Sequence, residues 1–377
     1  FIASGPHEGN RWPRHFSPFF ETAEGDKLLV VPNYYGCGSG RGPATGDCAS
    51  TVIYRWREDK HKFVRTQALR TAGPGQTDHF TVGEDTYLVV GENFDDKVTV
   101  WKDVRRKNRP HFEKLQELGG IAGAGATALC RVDADRLLLV ASSYHSGTKE
   151  RGWMTDTPVF QWSSSTNLGF IEVPVQWIEG HGTHDVECAS FRGRHYLFLS
   201  EDRDDTGPKI HSKVMLYDSG KARYVEHQRL PTDGAHAAEF FQMWGAKEGE
   251  GEGGKGEKES SLWLAIANFG DRMGKRYESE STVWRLDHQR TNQFQRVASV
   301  PTVGATDWEF FQTRGSHGLN HSFLAVSNEG NVQRRAGQTS HVYRIVSGEG
   351  EASVEQGELV GDGEGNRVKR KKVKVDL

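Results

Sequence analysis

The residues with the clearest capacity for chemistry are acids spaced two apart. Asp185 and Glu187 form one pair, and Asp307 and Glu309 another. Residues two apart on a β-strand project the same way, so each pair would aim two carboxylates in one direction. Carboxylates crowded together repel unless protons or a cation neutralise them. A hard cation such as Ca2+, which takes several oxygen ligands, would relieve that repulsion. The matching positions elsewhere in the chain are Gln76 and Asp78, Ala237 and Glu239, Ala126 and Ala128, and Trp12 and Arg14. The expected ligand set is therefore Asp185, Glu187, Asp307, Glu309, Glu239 and Asp78. Against it stands a structural reading, in which these carboxylates cap turns or pair with neighbouring elements.

Histidines gather near the same segments: His79, His181, His184 and His236. General-base or zinc chemistry would draw on such residues, but no His-x-His pair and no helical HxxxH spacing supports it. Trp56, Trp101 and Trp162 read as packing residues on outer strands, not a ligand-stacking site. Of the four cysteines, Cys37 and Cys48 flank the turn-rich segment "CGSGRGPATGDC". They are expected to form a loop disulfide, with two free thiols as the alternative; a disulfide would place the protein outside the cytosol. Cys130 and Cys188 lie in apolar strand patterns and read as small core residues. Asn320 opens "NHS", a glycosylation sequon that is weak evidence by itself.

The elements that must position these residues are short strands. The chain has 377 residues with 44 glycines and 10% aromatics, a composition that fits many strands joined by tight turns. A formal net charge of −3 gives no overall electrostatic footprint for nucleic acid. No apolar run approaches the roughly 20 residues of a membrane helix. The chain starts at Phe1 with no leader visible, which fits either processing or a fragment.

Internal repetition organises the whole sequence. Each unit opens with an aromatic followed four residues later by Gln, as in Phe63 and Gln67, Phe112 and Gln116, and Tyr224 and Gln228. A glycine follows: Gly9, Gly73, Gly123, Gly182, Gly234 and Gly304. Next comes the strand with small, acidic and aromatic residues. An apolar strand succeeds it: "KLLVVPN", "TYLVVGEN", "RLLLVASS", "HYLFLSE", "LWLAIAN" and "SFLAVSN". A strand ending in aromatics completes the unit, as in "STVIYRW" and "STVWRL". Strands apolar on both faces need cover on both faces, and a β-propeller supplies it by sandwiching each blade between two others. The expected fold is therefore an all-β propeller of four-stranded antiparallel blades over residues 1–346. The aromatic-x-x-x-Gln segment is the outermost strand of each blade. Six blades are visible and a seventh is expected in the complete domain. Residues 247–261, "KEGEGEGGKGEKESS", read as a disordered insertion. Residues 347–377 supply the closing outer strand, "EASVEQGELV", and a basic, solvated tail.

The recurring order "F-x-x-x-Q-x-L … G-A-x-D-x-E-F-F … Y-L-x-V-x-N … S-x-V-Y-x-W" resembles the EAR repeat, also called the epitempin or EPTP repeat, as in the leucine-rich glioma-inactivated proteins. Its clearest copies here are Gly304–Phe311 with Ser322–Glu329, and Gly234–Phe241 with Leu262–Phe269. The resemblance implies a seven-bladed propeller in a secreted or cell-surface protein. It further implies a protein partner with an ectodomain, no catalysis and metal in the central channel. The expected function is a non-catalytic extracellular protein-binding module with no membrane span. The alternatives are a propeller hydrolase or lyase using inner Asp, Glu and His residues, and a cytosolic scaffold.

Overall fold

A computed structural model describes residues 19–34, 50–145, 152–163, 169–245, 259–314, 320–329, 340–347, 352–360 and 367–372. The expected Cys37–Cys48 disulfide, Gly9, Trp12 and Arg14 lie outside them, as does the side chain of Asn320.

Six antiparallel sheets form in chain order, each built on the four-stranded blade that the repeat requires. Blade 1 contains β1 (Phe19–Glu21), β2 (Lys27–Val31), β3 (Ser50–Arg57) and β4 (Lys62–Arg70). Blade 2 contains β5 (Pro74–Val82), β6 (Asp85–Glu92), β7 (Lys97–Asp103) and β8 (Phe112–Gly119). In blade 3, β9 (Thr127–Arg131), β10 (Leu137–Ala141) and β11 (Met154–Ser163) are followed by a split outer strand. Its two pieces, β12 (Gly169–Phe170) and β13 (Gln176–His181), both pair with β11. Blade 4 contains β14 (Thr183–Phe191), β15 (Arg194–Glu201), β16 (Lys209–Asp218) and β17 (Arg223–Asp233). Blade 5 contains β18 (Ala235–Gly245), β19 (Glu259–Asn268), β20 (Glu278–Asp287) and β21 (Gln293–Val303). Blade 6 contains β22 (Ala305–Arg314), β23 (Asn320–Asn328), β24 (His341–Ser347), β25 (Ala352–Val360) and a fifth strand, β26 (Arg367–Lys372). This is the β-propeller fold class with six blades among the described residues. The chain divides into two compact units, Phe1–Val186 and Glu187–Leu377.

The doubly apolar second strands do what their pattern requires. In β19, Leu262, Leu264 and Ile266 face blade 4, packing with Phe198, Val214 and Leu230. Trp263, Ala265 and Ala267 face the other way, against Trp308, Leu324 and Val326 of blade 6. In β6, Leu88 and Val90 meet Phe20, Leu28 and Ile53 of blade 1, while Tyr87 and Val89 meet Leu139 and Phe160 of blade 3. Alternation thus serves two interfaces instead of one core and one solvent face.

The aromatic-x-x-x-Gln signature proves to be a staple between blades. Gln67 Nε2 donates to the carbonyl of Phe112 at 2.7 Å, and Phe112 N–H donates back to Gln67 Oε1 at 2.8 Å. Gln116 holds Phe170 the same way at 2.7 and 2.9 Å, as does Gln228 with Phe294 at 2.8 and 2.7 Å. A β-bulge just before each of these three glutamines, opposite Ile53/Tyr54, Val100/Trp101 and Val214/Met215, shifts the register at the staple. The marker glycines Gly73, Gly123, Gly182, Gly234 and Gly304 all have positive φ, from 56° to 68°, the left-handed turn that leads into the next blade.

Three sequence expectations change. Trp56, Trp101 and Trp162 sit on third strands, not outer ones; Trp101 and Trp162 do pack between blades. Residues 259–261, assigned to the insertion, begin β19. The basic run expected as a solvated tail contains β26, whose backbone pairs with β25 from Val360↔Arg367 to Glu355↔Lys372.

Candidate functional site

The first strands carry the acids that the sequence singled out. Asp78, Glu239 and Glu309 occupy one equivalent position in their blades, opposite Val89, Ala265 and Ala325 of the second strand. Asp185 is buried, whereas Glu187, Glu239, Asp307 and Glu309 are half-buried. Asp78 keeps a little accessible surface yet is walled by protein. Burial pushes its carboxyl up to about 6, opposed by a 2.6 Å hydrogen bond from Thr127 Oγ1. Burial also raises the Glu309 carboxyl. Asp307 Oδ1 accepts the N–H of Trp308 at 2.9 Å. Among the described residues no group of three or more His, Cys, Asp or Glu is placed to hold a metal ion.

Three of these histidines make ring contacts with aromatics. His79 stacks on Phe20 with ring centres 4.1 Å apart, and burial lowers its pKa. His184 meets Tyr144 edge-on at 5.0 Å. His236 stacks on Phe269 at 5.5 Å, and its Nδ1 lies 2.9 Å from the Thr306 carbonyl oxygen. His181 ends β13, opposite Met154. The cysteine reading is corrected here. Cys130 and Cys188 are disulfide-bonded, not reduced core residues, and no described cysteine is free.

What sequence reasoning missed lies at the end of the blades where second strands turn into third strands. In the second unit, the loops at residues 202–208 and 269–277 both lie at that end. Arg203 Nη1 approaches Asp271 Oδ1 at 3.4 Å. Asp271 and Arg276 close the base of the second loop with reciprocal backbone bonds of 2.6 and 2.9 Å. Arg276 forks onto Asp233 at 2.6 and 2.8 Å, and Ser279 Oγ donates to the same carboxylate at 2.9 Å. The Asp233 hydrogen bond raises the Arg276 pKa. The Arg272 guanidinium sits 4.2 Å from the Phe269 ring centre and 3.7 Å from Glu329 Oε2. Beyond it Met273 is 65% exposed at the loop tip. A braced loop presenting arginine and methionine beside an aromatic has the chemistry of protein recognition, where these types are enriched. The signal was present in the second-strand ends "EDRDD" and "NFGDR", each with an Asp-Arg or Arg-Asp step in the turn.

Six four-stranded blades and a polar, arginine-bearing loop end define a propeller scaffold that displays loops. The chain is 26% identical over 338 residues to the human protein named "Thrombospondin-type laminin G domain and EAR repeat-containing protein", covering 73% of this chain and 46% of that one. It therefore spans less than half the length of that relative. No family model matches the chain. A solved structure of a protein from Lactobacillus plantarum is similar in fold alone, with a TM-score of 0.50 and 11% identity over 87% of this chain and 80% of that one. A functionally unknown protein from Desulfotomaculum acetoxidans gives a TM-score of 0.44 with 12% identity over 80% of this chain and 75% of that one.

Proposed function

We propose that the chain is an EAR-repeat propeller that works outside the cell as a non-catalytic module, gripping a partner protein's ectodomain with its loop-bearing end. The observation that carries this reading is the similarity, across 73% of the chain, to a protein whose name specifies EAR repeats. The disulfide-bonded Cys130 and Cys188 support an oxidising compartment, and no helix of the described residues is long and apolar enough to cross a membrane. The braced Arg272–Met273 tip supplies a contact surface that costs little ordering on binding.

A photo-crosslinking residue placed at Met273 tests this on intact cells of the chain's source organism. The expected product is a saturable adduct with a secreted or plasma-membrane protein, suppressed by excess unlabelled chain. Adducts to cytosolic proteins alone, or none that saturates, would count against the reading. An enzymatic second reading would draw on Asp78, whose carboxyl burial pushes up to about 6. Its polar contact is a single threonine, and a hydrolase would require Asp78→Asn to abolish turnover.

A further inference from the structure

The third and fourth strands of blade 2, β7 and β8, are joined by a hairpin whose own residues leave its cations unbalanced. Residues 104–111 read "VRRKNRPH", with Arg105, Arg106, Lys107 and Arg109 and no acid. The corresponding turns of blades 1 and 4 set acids against their cations. In blade 1, Glu58 pairs with Lys27 at 3.1 Å and Asp59 with Arg57 at 2.8 Å; in blade 4, Lys221 pairs with Asp218 at 3.2 Å. In blade 2, Arg105 is committed to blade 1, where its guanidinium donates to Glu24 Oε2 and Asp26 Oδ2, both at 2.9 Å. Glu113 takes one nitrogen of Arg106, Nη2. Lys107 and Arg109 are exposed and form no ion pair among the described residues.

The conformation of this hairpin is fixed by the chain around it. Arg106 and Arg109 form an antiparallel bridge with reciprocal backbone bonds of 2.9 and 3.1 Å. Lys107 and Asn108 between them have φ of 52° and 55°, as a type I′ turn requires. Asp103, buried at the root, accepts the N–H groups of Arg105 and His111, each at 2.9 Å. Arg105 also donates to the Asn108 carbonyl at 3.3 Å. Residues directly opposite in such a bridge put their side chains on one face, and like charges there repel. Arg106 and Arg109 are therefore held side by side against their mutual repulsion, which an anion between them would relieve. Left-handed backbone at non-glycine residues clusters at ligand clamps, and Arg105, Lys107 and Asn108 all adopt it.

We infer that the Arg106–Arg109 hairpin of blade 2 binds a sulfated linear polysaccharide. Arg106 and Arg109 fork onto sulfate oxygens, and Lys107 meets a further sulfate as a point charge. The planar guanidinium matches phosphate oxygens, whose geometry sulfate shares, and short runs of lysine and arginine make heparin-binding patches. An anionic membrane fits less well, because residues 104–109 hold no aromatic or leucine to enter the acyl boundary. Nucleic acid fits less well too: the same residues offer no ring for a base to stack on, and the net charge of −3 gives no wider basic footprint. The choice of a polysaccharide rests on the reading of the chain as extracellular, while the site itself is separate from the loop at residues 269–277.

The test uses the full chain and a fluorescent heparin octasaccharide, with its desulfated counterpart as control. Anisotropy is expected to show saturable, salt-sensitive binding of the octasaccharide, with the desulfated chain at least about tenfold weaker. Lys107→Gln and Arg109→Gln should each weaken binding about threefold or more and lower the salt slope by about one. Glu113→Gln, which releases Arg106 from its carboxylate, should strengthen binding. Lys221→Gln on blade 4 should leave it unchanged. Asn108→Gly suits the turn and should preserve binding. Asn108→Pro cannot take a positive φ and should weaken binding about tenfold, with the net charge and the circular-dichroism spectrum unaltered. No saturable octasaccharide binding, equal binding of the desulfated chain, or binding indifferent to Lys107→Gln and Arg109→Gln overturns the inference. So does tighter retention on phosphatidylserine vesicles, or tighter binding of duplex DNA, that Lys107→Gln removes, since either assigns the hairpin to another polyanion. Failure of cell-surface crosslinking at Met273 with octasaccharide binding intact would reject the proposed function alone. Crosslinking intact with no octasaccharide binding would reject this site alone.

Discussion

Asp78 stands in an environment that its type does not prefer. Its folded-state carboxyl holds a proton up to about pH 6, whereas the ordinary value is 3.8. The folded chain therefore binds more protons than the unfolded chain in that window. The stabilising contribution is complete below pH 3.8 and is lost as pH rises through about 6. The loss amounts to something on the order of 3 kcal/mol. Asp78→Asn keeps a group able to accept from Thr127 but does not ionise. Urea unfolding at pH 4 and pH 7.5 should show a smaller fall in stability for Asp78→Asn than for the native chain; identical slopes would mean the carboxyl is not buried as described. The acid spacing was legible in sequence because strand parity is simple. Its role was not, because whether carboxylates share an ion or stand apart depends on distances that spacing does not encode.

At the scale of elements, the glutamine staple and the doubly apolar strand carry the stability. Gln228→Ala leaves the backbone N–H and carbonyl of Phe294 without their partners and should cost about 1–3 kcal/mol. Equal urea midpoints for Gln228→Ala and the native chain would remove the staple from the account. Leu264, fully buried between blades 4 and 5, should cost roughly 2–5 kcal/mol as Leu264→Ala. Gly234→Ala should be worse tolerated than either, since its Cβ would sit 2.3 Å from the Gly270 carbonyl oxygen at a φ of 64°. The strand order, the blade boundaries at glycine and the outermost position of the aromatic-x-x-x-Gln strand were all readable from the repeat. The staple itself was not, because a one-dimensional pattern shows Gln67 four residues from Phe63 and hides its bond to Phe112, forty-five residues on.

At the scale of the molecule, the sequence reading and the structure agree on an all-β chain of four-stranded blades and part over the cysteines. Strand-borne Cys130 and Cys188 looked like small hydrophobes because each sits in an apolar strand pattern with no cysteine nearby in sequence, and a bonded cysteine leaves no local trace there. Alkylation in denaturant without reductant should leave Cys130 and Cys188 unmodified by peptide mass, and labelling of both without reductant would contradict the bonded state. The central claim is that the loop end, not the inner acids, is the working surface. Binding isotherms of the labelled chain on intact cells of its source organism test it most directly, comparing the native chain with Arg272→Glu and Asp78→Asn. The account predicts that Arg272→Glu weakens binding about tenfold or more while Asp78→Asn leaves it unchanged. Binding that survives Arg272→Glu and disappears with Asp78→Asn would contradict it.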